Sequence, residues 1–298
     1  MRNMEKANCL ADKKYANNGA DKSRQHPCFS FEAHKKYARM HLPVAPKCNI
    51  SCNYCNRKYD CSNESRPGVS SEILSPKEAL TRFLLVREKM PNLSVVGIAG
   101  PGDALADWKN TRTTLGLIRQ VDKKISFCLS TNGLLVTEHL DEIIQLGVEH
   151  VTVTVNCINP DIGEKIYQFV NYHGTQYRGW DGAALLLEKQ LEGIAQLSLA
   201  GVLVKVNTVM ITGVNDDHIP EIAGKMKRLG AFISNIVPLI PIKGSCFEHY
   251  PQTSTSELVA MRQRCAVDLQ QMRHCRQCRA DAVGMLNEDR RLEIIQAG

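Results

Sequence analysis

Three cysteines within eight residues form the most reactive grouping in the chain. Cys48, Cys52 and Cys55 follow a C-x3-C-x2-C spacing. A structural zinc site takes four ligands in a closed tetrahedron, whereas each of the four irons of a cubane iron–sulfur cluster takes one protein ligand. Three thiolates therefore leave one iron open, and an open iron can bind a substrate. The spacing predicts a cubane cluster with one exchangeable position.

The same spacing, which ends in Tyr54-Cys55, resembles that of the radical S-adenosylmethionine (radical SAM) enzymes. In that superfamily the open iron binds the amino and carboxylate groups of SAM. An electron then cleaves the sulfonium and releases a 5′-deoxyadenosyl radical. The resemblance implies the same cluster and the same use of SAM in this chain. The alternative interpretation is two structural cysteines with a bystander, or part of a zinc site.

Glycines and short polar residues stand where successive predicted strands end. Residues 97–103 (GIAGPGD) resemble the glycine-rich segment that holds the SAM amino group, because glycines let a ligand approach backbone amides closely. Residues 130–133 (STNG) and Asn156 fit contacts to the ribose and the methionine carboxylate. Turn and N-cap chemistry is the alternative. The predicted cofactor-binding residues are Gly100, Gly102, Asp103, Ser130, Asn132 and Asn156.

Strand and helix patterns alternate about six times, which indicates a parallel sheet with crossover helices. Six units fall short of a closed eight-fold barrel, so we predict an α/β fold with an open, partial (βα)6 barrel of the radical SAM type. The chemistry of a parallel barrel lies at the C-terminal ends of its strands. The predicted elements are helix 76–90, strand 94–99, helix 111–121, strand 125–129, helix 137–146, strand 148–155, helix 183–200, strand 202–210, helix 218–229 and strand 232–237.

Three parts are expected along the chain. Residues 1–23 are polar and aperiodic, which predicts a mobile tail. Residues 24–250 are predicted to form the partial barrel with an N-terminal cluster-binding extension. Residues 251–298 are predicted to form a helical C-terminal extension that carries further cluster ligands.

Composition limits the function classes. A chain of 298 residues has the length of one α/β barrel. We find no apolar run near the ~20 residues of a membrane span and no apolar signal region in residues 1–24, so we expect a cytoplasmic protein and no membrane partner. Twelve cysteines then indicate metal-binding or catalytic thiols. The net charge of +6 comes without a basic stripe carrying aromatics, so we expect no nucleic-acid partner.

Six further cysteines fall into two groups. Cys265, Cys275 and Cys278 form a second three-thiolate set without an obvious fourth ligand. We predict a final helix from residue 257 to about 273 that carries the first of them, with the other two on one face of a helical turn at its end. The second group is spread along the chain and could converge only in the folded protein; it consists of Cys28, Cys61 and Cys128.

A more specific resemblance extends from about residue 24 to 290. The stretches His26–Cys28 and His41–Gly68, together with GIAGPGD, STNG and the C-terminal Cys-x2-Cys, resemble the NifB family of nitrogenase cofactor biosynthesis radical SAM proteins. Many bacterial members carry a further C-terminal domain. The end of this sequence at Gly298 therefore predicts the short, stand-alone form of methanogenic archaea.

The resemblance implies three clusters. The SAM cluster would be held by the C-x3-C-x2-C motif, one four-iron precursor by Cys28, Cys61 and Cys128, and another by Cys265, Cys275 and Cys278. His41 matches a histidine that provides a nitrogen ligand to a precursor iron. Glu64 is predicted to be a transient iron ligand or proton acceptor, or else a solvated loop carboxylate. For both His41 and His26 the alternative is a hydrogen-bonded or surface histidine.

The implied reaction joins two [4Fe-4S] precursors into an eight-iron core with a central carbide. One SAM donates a methyl group, and a second supplies the radical that removes hydrogen from it. The implied partners are iron–sulfur cluster donors and the downstream carrier or scaffold proteins of nitrogenase assembly. Three alternatives stay open: a radical SAM enzyme with fully ligated auxiliary clusters acting on an organic or peptide substrate, a zinc-stabilised binding module, and a scaffold that only carries clusters.

Overall fold

The structure, a computed structural model, describes residues 22–63, 72–291 and 293. Ten strands lie in these residues. In chain order they are β1 (Ala38–His41), β2 (Ile50–Cys52), β3 (Leu93–Ile98), β4 (Ser126–Thr131), β5 (Val148–Thr154), β6 (Tyr167–Tyr172), β7 (Thr175–Tyr177), β8 (Leu203–Met210), β9 (Ile233–Pro238) and β10 (Val283–Gly284).

Seven α-helices accompany them in the described residues. They are α1 (Pro76–Lys89), α2 (Trp108–Val121), α3 (Val136–Gln145), α4 (Pro160–Ile166), α5 (Gly179–Leu199), α6 (Ile219–Arg228) and α7 (Thr255–Cys265). Helices α1 and α7 begin at the expected capping boxes, where Ser75 and Ser254 accept from the backbone N–H three residues later. Each cap satisfies a backbone donor that the first helical turn leaves without a partner.

The main sheet has the strand order β10-β1-β3-β4-β5-β8-β9. Its six strands from β1 to β9 run parallel, and β10 pairs antiparallel with β1. Apolar side chains of the sheet and helices form one large buried core. The predicted α/β fold, a partial barrel with six parallel strands, is confirmed. Because the strands are parallel, their C-terminal ends meet along one edge, and the residues after them are brought together there.

Residues 160–177 contain structure that the sequence patterns did not predict. Helix α4 is followed by the hairpin β6-β7, and β6 pairs antiparallel with β2, which places Ile50 opposite Val170. The second sheet therefore holds the loop that carries the three-cysteine motif. The run Tyr167–Tyr172 (YQFVNY) has a strand-like alternation that could have predicted the hairpin.

The predicted final helix is wrong in its extent. Helix α7 ends at Cys265, and residues 272–279 have no regular secondary structure. Cys275 and Cys278 therefore do not share a helical turn. The physical reason is tertiary: Met272 donates to the carbonyl of Ser234 at 2.7 Å and Ser234 donates to that of Gln270 at 2.8 Å, so the segment pairs with the edge strand β9.

Part of the predicted organisation is not described by the structure. Residues 1–21 of the predicted tail and Glu64 lie outside the described residues. The boundaries of the barrel and its extensions stay a prediction. Among the residues that are described, every helix is too short or too polar to cross a lipid bilayer.

Candidate functional site

The three-cysteine motif lines a cavity of about 360 Å³, here called the loop cavity. Strand β2 holds Cys52 in the second sheet, and the Cys55 N–H donates to the Cys52 carbonyl at 3.0 Å, which turns the chain back on itself. The cavity wall also includes residues from the ends of β3 and β4. Its chemically relevant lining residues are Cys48, Cys52, Cys55, Cys61, Asp103 and Asn132.

Burial keeps the three motif thiols of this cavity protonated unless a cation replaces the proton. Desolvation, helped by Asp103, raises the pKa of Cys48 to about 12. Desolvation also raises the pKa of Cys52 far above its usual value, and Cys55 follows in the same direction, although Arg57 opposes the shift there. A thiolate ligand is favoured here only when a metal supplies positive charge. The three motif thiols, with Cys61 also in the cavity lining, therefore fit a cluster that supplies this charge.

Asp103 joins the ends of β3 and β4. Its carboxylate accepts from the N–H groups of Leu105, Ala106 and Asn132 at 2.9, 3.0 and 2.6 Å, and from the Thr131 hydroxyl at 3.0 Å. Burial raises its pKa, and these donors oppose the rise. Because the chain's own donors occupy both oxygens, the structure gives Asp103 a scaffolding role, and its contact with SAM stays a prediction.

The glycines of the same segment allow the β3 end to pack on the motif loop. A Cβ on Gly102 would lie 2.1 Å from the carbonyl oxygen of Lys47, and the Asp103 N–H donates to that same oxygen at 2.7 Å. Gly100 has a φ of 130°, which favours glycine. Neither glycine lines the loop cavity. The structure gives both of them close backbone packing, and their role in SAM binding stays a prediction.

The three other residues predicted to contact SAM lie at three different places in the structure. Asn132 lies in the loop cavity, where its amide donates to the Asn49 side chain at 2.6 Å and approaches Cys48 Sγ at 3.9 Å. Ser130 lines a different cavity. Asn156 is fully buried outside both and donates to the Tyr54 hydroxyl at 2.7 Å. Of the three, only Asn132 is next to the motif cysteines.

A second cavity of about 720 Å³, part of it open to solvent, adjoins the first. The N-terminal segment, β1, β4, β8, β9 and the segment after α7 supply its wall. Four cysteines and two histidines line it: Cys28, Cys128, Cys275, Cys278, His26 and His41. Residues from opposite ends of the chain therefore meet at one edge of the sheet.

The imidazole of His41 is held at the wall of the second cavity by a hydrogen bond through Nδ1. Its Nδ1 lies 3.0 Å from the carbonyl oxygen of Arg279, a contact that requires an N–H on Nδ1 and leaves the Nε2 lone pair available. Burial, together with the cation Arg39, lowers the pKa of His41 to about 4. The ring is thus neutral near neutral pH. Gly97 leaves room for it, because a Cβ there would lie 3.1 Å from His41 Cδ2.

His26 occupies the same cavity with a different arrangement. It is 2% exposed, and its Nδ1 accepts from the Cys28 N–H at 3.1 Å. Among the described residues no group pairs with its Nε2. An acceptor at Nδ1 places the proton of the neutral ring on Nε2. His26 is therefore arranged as a hydrogen-bond donor through Nε2, whereas His41 keeps an Nε2 lone pair available. That His41 is a metal ligand stays a prediction.

The structure regroups the predicted ligand sets. Cys61 lines the loop cavity and is not brought to Cys28 and Cys128. Cys265 is fully buried in the core cluster that contains Leu258 and lines neither cavity. The second cavity instead gathers the two cysteines left in each set. The assignment of either set to one cluster stays a prediction.

Several residues of the second cavity were missed by sequence reasoning. They are Arg39, Lys205, Asn207 and Asn235. The sequence did carry a signal for two of them. Lys205 and Asn207 alternate with apolar residues on β8 (LVKVNTVM), a strand that is buried along its whole length. Polar residues at every second position of a buried strand mark a polar lining.

A buried hydrogen-bonded chain joins the two cavities. The Tyr54 hydroxyl donates to the Asn63 side chain, and the Asn63 carbonyl accepts from Asn207 at 2.9 Å. The Asn235 amide lies 3.1 Å from the Asn207 side-chain oxygen and 3.4 Å from Cys275 Sγ. Asn63 also lines both cavities. Asn63, which forms part of the wall between the cavities, is thus fixed by hydrogen bonds to Tyr54 and to Asn207.

The thiols are spread along the cavity walls. Within residues 22–63, 72–291 and 293, no three Cys, His, Asp or Glu side chains converge as a single metal ion would require. A cubane takes its thiolates on separate irons. The spread of thiols along two cavities is compatible with iron–sulfur clusters, and the metal that these thiols bind stays a prediction.

The fold and the motif define a radical SAM protein. Residues 42–226 match the Radical SAM superfamily, and the chain belongs to that superfamily. SuiB of Streptococcus suis shares the fold alone, with a TM-score of 0.54, 11% identity and coverage of 78% of this chain and 47% of SuiB.

Within the superfamily the chain is similar to the FeMo cofactor biosynthesis protein NifB. It is 51% identical to NifB of Rhizobium leguminosarum bv. trifolii over 91% of this chain, and 50% identical to that of Rhodobacter capsulatus over 92%. The predicted resemblance to the NifB family is confirmed. The chain spans 56% and 61% of the length of these two relatives.

Proposed function

We propose that the chain joins two [4Fe-4S] precursor clusters into an eight-iron, carbide-containing precursor of the nitrogenase cofactor. SAM would serve both as methyl donor and as the source of the hydrogen-abstracting radical. The observation that best supports the proposal is that the two cavities lie next to each other. The thiol-lined loop cavity shares the wall at Asn63 with a larger cavity lined by four more cysteines and two histidines.

The loop cavity would hold the resident cluster on Cys48, Cys52 and Cys55. When bound, that cluster supplies the electron that cleaves SAM. The chain's own residues exclude water and fix the loop: Asp103 joins the strand ends beneath it, and Asn132 contacts Asn49 beside the first cysteine. These contacts support a rigid cavity on the SAM side.

The second cavity would hold the precursor clusters as substrate. Its four cysteines cannot saturate the eight irons of two cubanes, so open iron positions are left for rearrangement. The Nε2 of His41 would be an additional ligand, held in place by the Arg279 carbonyl. An incomplete ligand set suits a cluster that must later leave the protein.

The partners proposed for this activity are iron–sulfur cluster donors and the carrier or scaffold proteins of nitrogenase assembly, in the cytoplasm. The relatives are FeMo cofactor biosynthesis proteins, which supports a place in that assembly.

The test is anaerobic reconstitution followed by iron and sulfide analysis. Three cubanes correspond to about twelve irons per chain, and one to about four. With dithionite and SAM, we expect 5′-deoxyadenosine and S-adenosylhomocysteine together, since radical formation and methyl transfer each leave one of them. About four irons, or only one of the two products, would contradict the proposal. Cys246→Ala, at an exposed cysteine outside both cavities, is the control for later cysteine variants and should give the same iron content and the same two products.

A further inference from the structure

Arg39 places a buried guanidinium at the second cavity. It lies on β1, is 3% exposed, and lines the cavity together with His41 two residues along the strand. Its Nη1 donates to the carbonyl oxygens of Gly284 and Met285 at 2.6 and 3.1 Å. Its Nη2 donates to Cys278 Sγ at 3.1 Å. One side chain therefore connects β10 with a cysteine of the cavity.

The charge of Arg39 is not balanced by the protein groups around it. Among the described residues, no carboxylate forms an ion pair with this guanidinium, and its Nε has no hydrogen-bond partner there. Two carbonyls and one sulfur satisfy hydrogen bonds but supply no full negative charge. A buried charge is costly unless it is paired. An anion in the cavity that Arg39 lines would supply the counter-charge that the described residues do not.

We propose that Arg39 is a positioning residue for the iron–sulfur substrate of the second cavity. Its guanidinium supplies the counter-charge to an anionic cluster and fixes Cys278 through the N–H to sulfur hydrogen bond. This inference rests on the proposed function, since it requires an iron–sulfur species in that cavity. Hydrogen bonds to cluster sulfurs and nearby charge set reduction potentials, and such outer groups affect metal affinity almost as strongly as the ligands.

An arginine suits this position better than a lysine. The planar fork reaches two carbonyls of the C-terminal segment and the cysteine sulfur at once, whereas an ammonium is a point charge on a flexible stem. Arg39→Lys therefore retains the charge and loses the geometry. Arg39→Gln loses the charge. Comparing the two separates the electrostatic part of the role from the positioning part.

The experiment uses a chain carrying Cys48→Ala, Cys52→Ala and Cys55→Ala, so that bound iron reports on the second cavity. After anaerobic reconstitution, retention of iron against a chelator and the reduction potential followed by EPR are measured. We expect Arg39→Gln to weaken retention by about 10- to 100-fold. We also expect a lower potential, because a nearby cation stabilises the more negative reduced cluster. Arg39→Lys keeps most of the potential and loses part of the retention.

Arg119→Gln is the matched control. Arg119 also donates to backbone carbonyls, those of Lys123 and Ile125, but lines neither cavity. Retention and potential in Arg39→Gln equal to those in this control overturn the inference alone. If Arg39→Gln fails to fold, as judged by circular dichroism of iron-free protein, Arg39→Lys decides: retention equal to the parent overturns the inference. A folded parent that binds no iron overturns both the inference and the proposed function.

Discussion

The two cavities differ in how the chain builds them. The three motif cysteines of the loop cavity lie within eight residues and on one loop. The outermost cysteines of the second cavity, Cys28 and Cys278, are 250 residues apart in the chain. They meet through the pairing of β10 with β1 and of the segment after α7 with β9. The first cavity is therefore a local motif on a scaffold. The second cavity forms only when the whole chain has folded.

Their electrostatics differ as well. In the loop cavity, Asp103 adds to the desolvation that raises the pKa of Cys48. In the second cavity, desolvation raises the pKa of Cys28 to about 11, and the cations Lys205 and Arg39 oppose the rise. The cations Lys205 and Arg39 line the second cavity, whereas the loop cavity is lined by the cation Arg57 and the carboxylate of Asp103. This field would suit the anionic iron–sulfur substrate that we propose for the second cavity.

The largest expected effect is a difference in SAM cleavage between a variant of the loop cavity and a variant of the second cavity. Cys52→Ala removes one of only three ligands for the resident cluster, so we expect no 5′-deoxyadenosine. Cys275→Ala changes the second cavity alone, so we expect residual SAM cleavage without an eight-iron product. Quantifying 5′-deoxyadenosine by chromatography in anaerobic assays checks both. Equal loss in the two variants would contradict the division between the cavities.

The second expected effect compares two cysteines of one predicted ligand set. Cys278 lines the second cavity, whereas Cys265 is fully buried in the core. We expect Cys278→Ala to lose about four of the twelve irons. We expect Cys265→Ala to keep its iron and to lose about 1–2 kcal/mol of folding stability. Iron analysis and chemical denaturation of iron-free protein measure the two quantities. Loss of iron in Cys265→Ala would restore the grouping predicted from sequence.

A smaller effect is expected where the cavities are joined. Tyr54→Phe deletes the hydroxyl that bonds Asn63 and Asn156 and leaves both amides short of a partner. We expect a loss of about 1–3 kcal/mol of folding stability, measured by denaturation of iron-free protein. Tyr250→Phe, at a phenol on a residue that is 37% exposed, is the control and should change little. Equal stability of the two variants would argue against the connecting chain.

The smallest expected effect is a change of spectrum. In Gly97→Ala the new Cβ would lie 3.1 Å from His41 Cδ2, so the imidazole must shift by a few tenths of an ångström. We expect altered nitrogen hyperfine coupling in the EPR spectrum of the second cavity and unchanged SAM cleavage. An identical spectrum would mean that His41 is not a ligand. Gly116→Ala, which would contact nothing, is the control.

Sequence patterns predicted those helices and strands that are determined by residues close together in the chain. The helix that begins at Ser75 and the strands 94–99 and 148–155 were predicted to within a few residues, because capping and hydrophobic periodicity act over one or two turns. The hairpin β6-β7, the early end of α7 and the strand β10 were not predicted. Each of these depends on pairing with a distant strand, which local periodicity does not record.

The sequence by itself determined the three-cysteine motif, the six-fold alternation of strand and helix, and hence the class of cofactor. All of these are properties of neighbouring residues and their spacing. Only the tertiary structure decided that Cys61 lines the loop cavity, that Cys265 lies in the core, and that Arg39 meets Cys278. The physical reason is that side chains far apart in the chain become neighbours only through strand pairing and burial.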